Sequence, residues 1–181
     1  MREITLSVVM TTYNHERYIA QAIESVLMQQ TAFGVEIVVG NDCSSDRTQA
    51  IVDDYRARYP EFIRTVDHSE RVGMRANYRR CVEAAEGRYI AMLDGDDYFT
   101  AYDKLQKQVE LLEQNPDVGM CYTRSRRIDQ DGNTTIYPEG DCLTSFEATV
   151  IGILVKECTK VFMENENSIL EGTFEGALIK H

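Results

Sequence analysis

The sequence lacks any apolar run long enough to cross a membrane. Its longest late stretch, Ala148 to Val155, falls far short of the roughly 20 residues that a span requires. The apolar segment within MREITLSVVM is too short and too interrupted for a secretory leader. Peripheral membrane contact through other segments stays open. Excess positive charge is absent too: 19 Lys and Arg stand against 30 Asp and Glu, a formal net charge of -11. Nucleic-acid binding needs a basic face, so that class is set aside. The five cysteines, Cys43, Cys81, Cys121, Cys142 and Cys158, form no CxxC pair. An odd count without zinc spacing suits free, buried thiols in a reducing cytoplasm, the expected setting. There is no internal repeat and no low-complexity tract. No GxGxxG follows the first apolar run and no GxxxxGK[ST] occurs, so the usual dinucleotide and P-loop phosphate cradles are missing.

What is present is an alternation. The 181 residues suffice for one domain with a sizeable core. Ile4 to Thr11 and Val35 to Gly40 are β-branched runs that read as strands buried on both faces, and Phe62 to Val66 and Arg88 to Leu93 read as two more. Between them lie helical patterns: Ile19 to Leu27 with Asn14 as a candidate cap, a helix from Ser44 or Ser45 to Tyr59, and Ala76 to Ala85. A fourth runs from about Tyr102 to Gln114. Strands and helices at this pitch predict βαβ units, hence an α/β fold with a mainly parallel sheet and helices on both faces. After Pro116, Val118 to Ile128 and Thr134 to Tyr137 flank Asp131-Gly132, which predicts a hairpin adding antiparallel strands to the sheet. Ser145 to Val155 is a candidate helix and Lys160 to Met163 a candidate strand. The expected division is an α/β subdomain over 1–137 and a remaining segment over 138–181.

In open parallel sheets, ligands bind beyond the carboxyl ends of the strands. Three strand ends carry chemistry: Thr11-Thr12-Tyr13-Asn14, Asn41 to Asp46, and Asp94-Gly95-Asp96-Asp97. Carboxylates packed this closely repel one another unless something binds between them. A hard cation, Mg²⁺ or Mn²⁺, answers that need, taking one or two carboxylates plus substrate phosphates. It would also supply the local positive charge that a phosphorylated ligand requires on so acidic a chain. Gly95 allows a tight turn. The alternative is a solvated acidic turn with Asp97 capping the next helix. Asp42 could accept from a base N–H, whereas Asp46 reads as a helix cap. Thr12 and Tyr13 are too bulky to cradle a pyrophosphate but can pack against a base.

The segments VVMTTYNHERYIAQAIESVLMQ, EIVVGNDCSSDRT and GRYIAMLDGDDYF, in that order, resemble family 2 glycosyltransferases, including bacterial enzymes of surface-polysaccharide biosynthesis. The resemblance covers Leu6 to Gln114, and more loosely continues to Tyr137. It implies a Rossmann-like GT-A fold and transfer of a sugar, with inversion, from a nucleotide-sugar donor such as a UDP-sugar. The acceptor would be a saccharide or lipid-linked saccharide. It implies that Thr12 and Tyr13 line the nucleoside pocket, that Asp42 contacts the base, and that Glu36 lies near the ribose. Gly73, Arg75 and Asn77 would fall in a nucleotide-contacting segment, with Arg75 at the base or a phosphate. Asp94 would meet the ribose or a metal-bound water, Asp96 would be the principal metal ligand, and Asp97 a third ligand or a cap. Asn41 stands where the family more often has an acidic residue. The catalytic base would come from acceptor-side sequence; Glu164, Glu166, Glu171 and Glu175 have no recognisable context, and the base is expected to lie outside the chain. Two other classes stay open: a nucleotidyltransferase, which would usually carry a Gly-rich first loop, and a non-catalytic nucleotide-sugar-binding module. Pairing of two copies through an exposed sheet edge stays open as well.

Overall fold

A computed structural model of the chain describes residues 3–121, 123, 125–128, 133–137 and 154–156. Four strands come first: β1 (Ile4–Thr12), β2 (Gly34–Asn41), β3 (Ile63–Val66) and β4 (Tyr89–Asp94). Four helices join and follow them: α1 (Ile19–Leu27), α2 (Thr48–Arg58), α3 (Met74–Ala84) and α4 (Lys104–Gln114). The strands lie in the order β3-β2-β1-β4 and all pair in parallel. The chain therefore winds outward from β1 to β3, then returns to place β4 on the other side of β1. The carboxyl ends of β1 and β4 form the point where the winding reverses, and a crevice opens there in such sheets.

Alternation along the strands explains the two cores. Leu6, Val8 and Met10 of β1 point to one face with Ile37, Val39, Ala91 and Leu93. That face is covered by Ile19, Ile23 and Val26 of α1, Val52 and Tyr55 of α2, and Leu105, Val109 and Leu112 of α4. Val9, Val38 and Ile90 point the other way, onto Cys81 and Val82 of α3. Helices thus lie on both faces, as the continuous β-branched runs require. At the join of α3 and β2 the backbone approach is close: a Cβ on Gly40 would run into the Asn77 and Cys81 side chains.

The later strands differ from expectation. β5 (Met120–Cys121) is short, and β6 (Ser125–Ile128) and β7 (Thr134–Tyr137) pair antiparallel as the flanks of Asp131-Gly132 suggested. They form a two-stranded sheet of their own instead of extending the main one. The main sheet is extended by β8 (Leu154–Lys156), antiparallel to both β4 and β5. Leu154 and Val155 are therefore strand, where a helix was expected; pairing with an edge outweighs the local pattern. The turn at Asp131-Gly132, the rest of the expected helix from Ser145, and the strand expected at Lys160 to Met163 lie outside the described residues. Asn14 is also not a cap. It sits at φ +56° with its Oδ1 accepting from the Ser45 amide, and α1 begins at Ile19.

Candidate functional site

The three chemically loaded strand ends meet. Main-chain bonds fasten both neighbouring loops to the end of β1: the Asp42 amide donates to Thr12 O at 3.0 Å, and the Gly95 amide donates to Thr11 O at 2.8 Å. The first two loops also satisfy each other's backbone. The His15 amide donates to Thr48 Oγ1 at 2.9 Å and the Glu16 amide to Asp46 Oδ2 at 3.1 Å. Asp46 Oδ1 accepts from the Thr48 amide at 2.9 Å, one residue ahead of the cap position expected for it, which Arg47 occupies.

On the β2 side, Asp42 is buried, and its two oxygens are engaged by main chain. Oδ1 accepts from the Val72 amide at 2.7 Å and Oδ2 from the Gly73 amide at 2.9 Å. The segment before α3 is thereby held over the end of β2. Gly73 has φ +83°, a conformation that suits glycine, and α3 starts directly after it. Arg71, from the same segment, lays its guanidinium on the Tyr13 ring with Cζ 3.8 Å from the centroid, and its Nε lies 3.5 Å from Asp42 Oδ2. Tyr13 and Asp42, both expected at the nucleoside, thus share a neighbour that the sequence did not single out. Arg75 lies exposed in the first turn of α3.

On the β4 side, Thr11 Oγ1 donates to Asp94 Oδ1 at 2.8 Å. Gly95 is required here, because a Cβ would collide with the Thr12 side chain and approach His15 Nδ1. Asp96 is exposed and its Oδ2 lies 3.8 Å from His15 Nε2. Negative charge accumulates. Loss of hydration raises the pKa of Asp94, although the residue is exposed at the surface, and the charge of Asp96 adds to the rise. Asp97 is pushed up to about 6, first by burial and then by Asp96 and Asp94. Thr12 is buried, and among the described residues its Oγ1 has no hydrogen-bond partner.

Among the described residues no three carboxylate, imidazole or thiol groups converge into a ready-made cage. The donor set instead suits a hard cation that takes one or two carboxylates and completes its shell with phosphate oxygens and water. Asp96 and Asp94 could supply those carboxylates.

Two residues that the resemblance placed near the nucleotide lie elsewhere or do other work. Glu36 is buried near the amino end of β2, where it accepts from Ser7 Oγ at 2.5 Å and the Glu86 amide at 2.7 Å, and meets Arg64 at 3.3 Å. Asn41 stands five positions further on, about 16 Å along an extended strand, so Glu36 lies away from the strand ends that carry the candidate site. Asn77 is buried under Gly40, donating to its carbonyl at 2.8 Å and bonding His68 Nε2 through Oδ1. Its work is to join α3 to β2. Glu164, Glu166, Glu171 and Glu175 lie outside the described residues. Arg71, His15 and the Thr11 hydroxyl are the additions that the structure makes.

The family profile described as glycosyl transferase family 2 matches residues 7–163. An uncharacterized protein of Mycobacterium tuberculosis is 39% identical over 127 residues, which are 70% of this chain and 37% of that protein. The mannosyltransferase PcManGT of Pyrobaculum calidifontis, solved with GDP-Man and Mn²⁺, is similar with a TM-score of 0.60 and 25% identity, covering 67% of this chain and 35% of PcManGT. S. aureus TarS 1-349, solved with UDP-GlcNAc, shares the fold with a TM-score of 0.67 at 19% identity, covering 90% of this chain and 48% of TarS.

Proposed function

This chain belongs to glycosyl transferase family 2, and from that premise we propose that it moves a sugar from a nucleoside-diphosphate donor, a UDP-sugar first of all, to an acceptor hydroxyl with inversion. One juxtaposition carries the reading. At the reversal point of a GT-A sheet, Tyr13 and Asp42 lie on one side of the β1 end and Asp94 and Asp96 on the other, linked through the Thr12 and Thr11 carbonyls. A nucleoside held beside the first pair would have its diphosphate directed toward the second.

Asp96 and Asp94 would hold Mg²⁺ or Mn²⁺, which when bound neutralises charge growing on the leaving diphosphate. PcManGT, solved with GDP-Man and Mn²⁺, supports that choice. The chain's own residues prepare the place. Thr11 orients Asp94, Gly95 lets the backbone turn beneath it, and Asp97 adds negative field. Thr12 Oγ1 is a buried hydroxyl available to a donor oxygen. Asp42 fixes the segment that closes the nucleoside side, and Arg75 stands exposed at the start of α3 for a base or phosphate contact.

The general base that deprotonates the acceptor belongs to acceptor-side sequence. The matched region is only 37% of the mycobacterial relative, so turnover by this chain is part of the proposal. A saccharide or lipid-linked saccharide acceptor, and a cytoplasmic setting at the inner face of a membrane, complete it. Cys43, Cys81 and Cys121 are free thiols, which supports a reducing setting.

The test combines UDP calorimetry, with and without Mn²⁺, and UDP release from UDP-sugars. Mn²⁺-dependent binding with release supports the transferase. Mn²⁺-dependent binding without release favours a nucleotide-sugar-binding module. No binding of UDP or GDP in Mn²⁺ overturns the donor-site reading.

A further inference from the structure

We propose that Arg71 is a base-contacting residue of the donor site, its guanidinium forming the plane against which the nucleobase stacks. The inference rests on the donor-site reading above and adds a residue and a mode of contact to it.

The aromatic face on that side of the pocket is already occupied. With Arg71 Cζ 3.8 Å from the Tyr13 centroid, the guanidinium is in van der Waals contact with the ring. A base inserted between them would need that spacing roughly doubled. The inner face of the guanidinium is therefore taken, and Tyr13 is covered where a base would otherwise lie. The outer side is open: the Arg71 side chain is 60% exposed.

Arg71 is not a free surface arginine. Its Nε lies 3.5 Å from Asp42 Oδ2, a carboxylate side chain only 4% exposed. The two residues after it, Val72 and Gly73, are fastened by their amides to the same carboxylate. One buried aspartate thus fixes the backbone of the segment and steadies the guanidinium, while the tyrosine sets its plane. A guanidinium is flat, delocalised and weakly hydrated, so it stacks on an aromatic ring with one face and on a nucleobase with the other. Lysine has no such plane. The result is a layered order of Tyr13, Arg71 and base, with Asp42 at the edge.

The experiment uses the full chain with Mn²⁺ and titrates UDP, GDP and inorganic pyrophosphate by calorimetry. Stacking of one base on a planar side chain corresponds to a loss of about tenfold or more on truncation. Arg71→Ala should therefore weaken UDP and GDP about tenfold while leaving pyrophosphate unchanged. Arg71→Lys should fail to restore the loss, because it returns the charge without the plane. Unchanged or tighter UDP binding by Arg71→Ala would overturn the inference, since the guanidinium would then merely cover the ring. Full recovery in Arg71→Lys, or equal losses for UDP and pyrophosphate, would overturn it as well, pointing to charge alone. Failure of the underlying reading looks different: the unsubstituted chain would bind neither nucleotide, and this inference would fall with it.

Discussion

Thr11 and Asp94 stand opposite each other on β1 and β4, and the threonine hydroxyl donates to the carboxylate at 2.8 Å. The bond opposes the rise that burial and Asp96 impose on Asp94. Hydrogen bonds to charged groups contribute ~1.5–3 kcal/mol. Thr11→Val keeps the shape and deletes the donor, so Mn²⁺-dependent UDP binding should weaken about tenfold. Calorimetry at constant pH checks this, and an affinity equal to that of the parent would remove Thr11 from the site.

Asp96 is an exposed carboxylate of the acidic tip, and its charge contributes to the rise of both neighbouring aspartates. Without metal it is a source of repulsion. Asp96→Asn should leave the metal-free protein as stable as the parent or slightly more so, with Tm unchanged or raised by a few degrees. In the same variant, Mn²⁺ should no longer strengthen UDP binding. Retained Mn²⁺ dependence would move the cation away from Asp96.

The parallel half of this fold was legible because its strands are buried on both faces and its loops carry turn and cap residues. Leu6, Val8 and Met10 against Val9 state the two-sided burial within one short run. The gathering of Thr12, Asp42 and Asp94 followed from the topology alone. Where the reading failed, contact across the chain had decided. Glu36 is a carboxylate on the right strand, but its partners, Ser7, Arg64 and Glu86, lie toward the amino end. Asn77 looked available to a ligand until Gly40 occupied it. Arg71 and His15 carried no motif of their own; each matters because another loop brings Tyr13 or Asp96 beside it. The β8 strand depends on edge pairing with β4 and β5, which no local period announces.

Asp42 should be a stability residue as well as a binding one. Its burial and its two amide partners mean that Asp42→Ala strands the Val72 and Gly73 amides. An unsatisfied buried donor costs ~1–3 kcal/mol, and part of that is recovered where water reaches the segment, leaving a net loss of about 2 kcal/mol. The urea midpoint should fall at constant m. Hydrogen exchange should speed up at Val72 and Gly73 before it does in β1. Exchange that changes uniformly, or not at all, would contradict the clamp.

Lys104 offers a pH test remote from the acidic tip. It opens α4, its Nζ donates to Gln108 Oε1 at 2.6 Å, and it lies over the Phe99 ring at 4.2 Å. Burial lowers its pKa from 10.5 to about 8. Between those values the unfolded chain holds a proton that the folded one has released, so stability rises with pH across the interval. Below about pH 8 the folded protein carries the full cost of the buried charge, about 3 kcal/mol at 1.36 kcal/mol per unit. Lys104→Met should therefore be more stable than the parent at pH 7, with the advantage shrinking as pH climbs from about 8 toward 10.5. The Cys81 thiol, which burial pushes up to about 12, acts in both chains and cancels in the difference, which leaves the lysine together with the Cys121 thiol that its charge touches. Urea midpoints at pH 7, 8 and 9 decide it: a gap that stays constant or widens would mean that the pKa of Lys104 is not lowered in the folded protein.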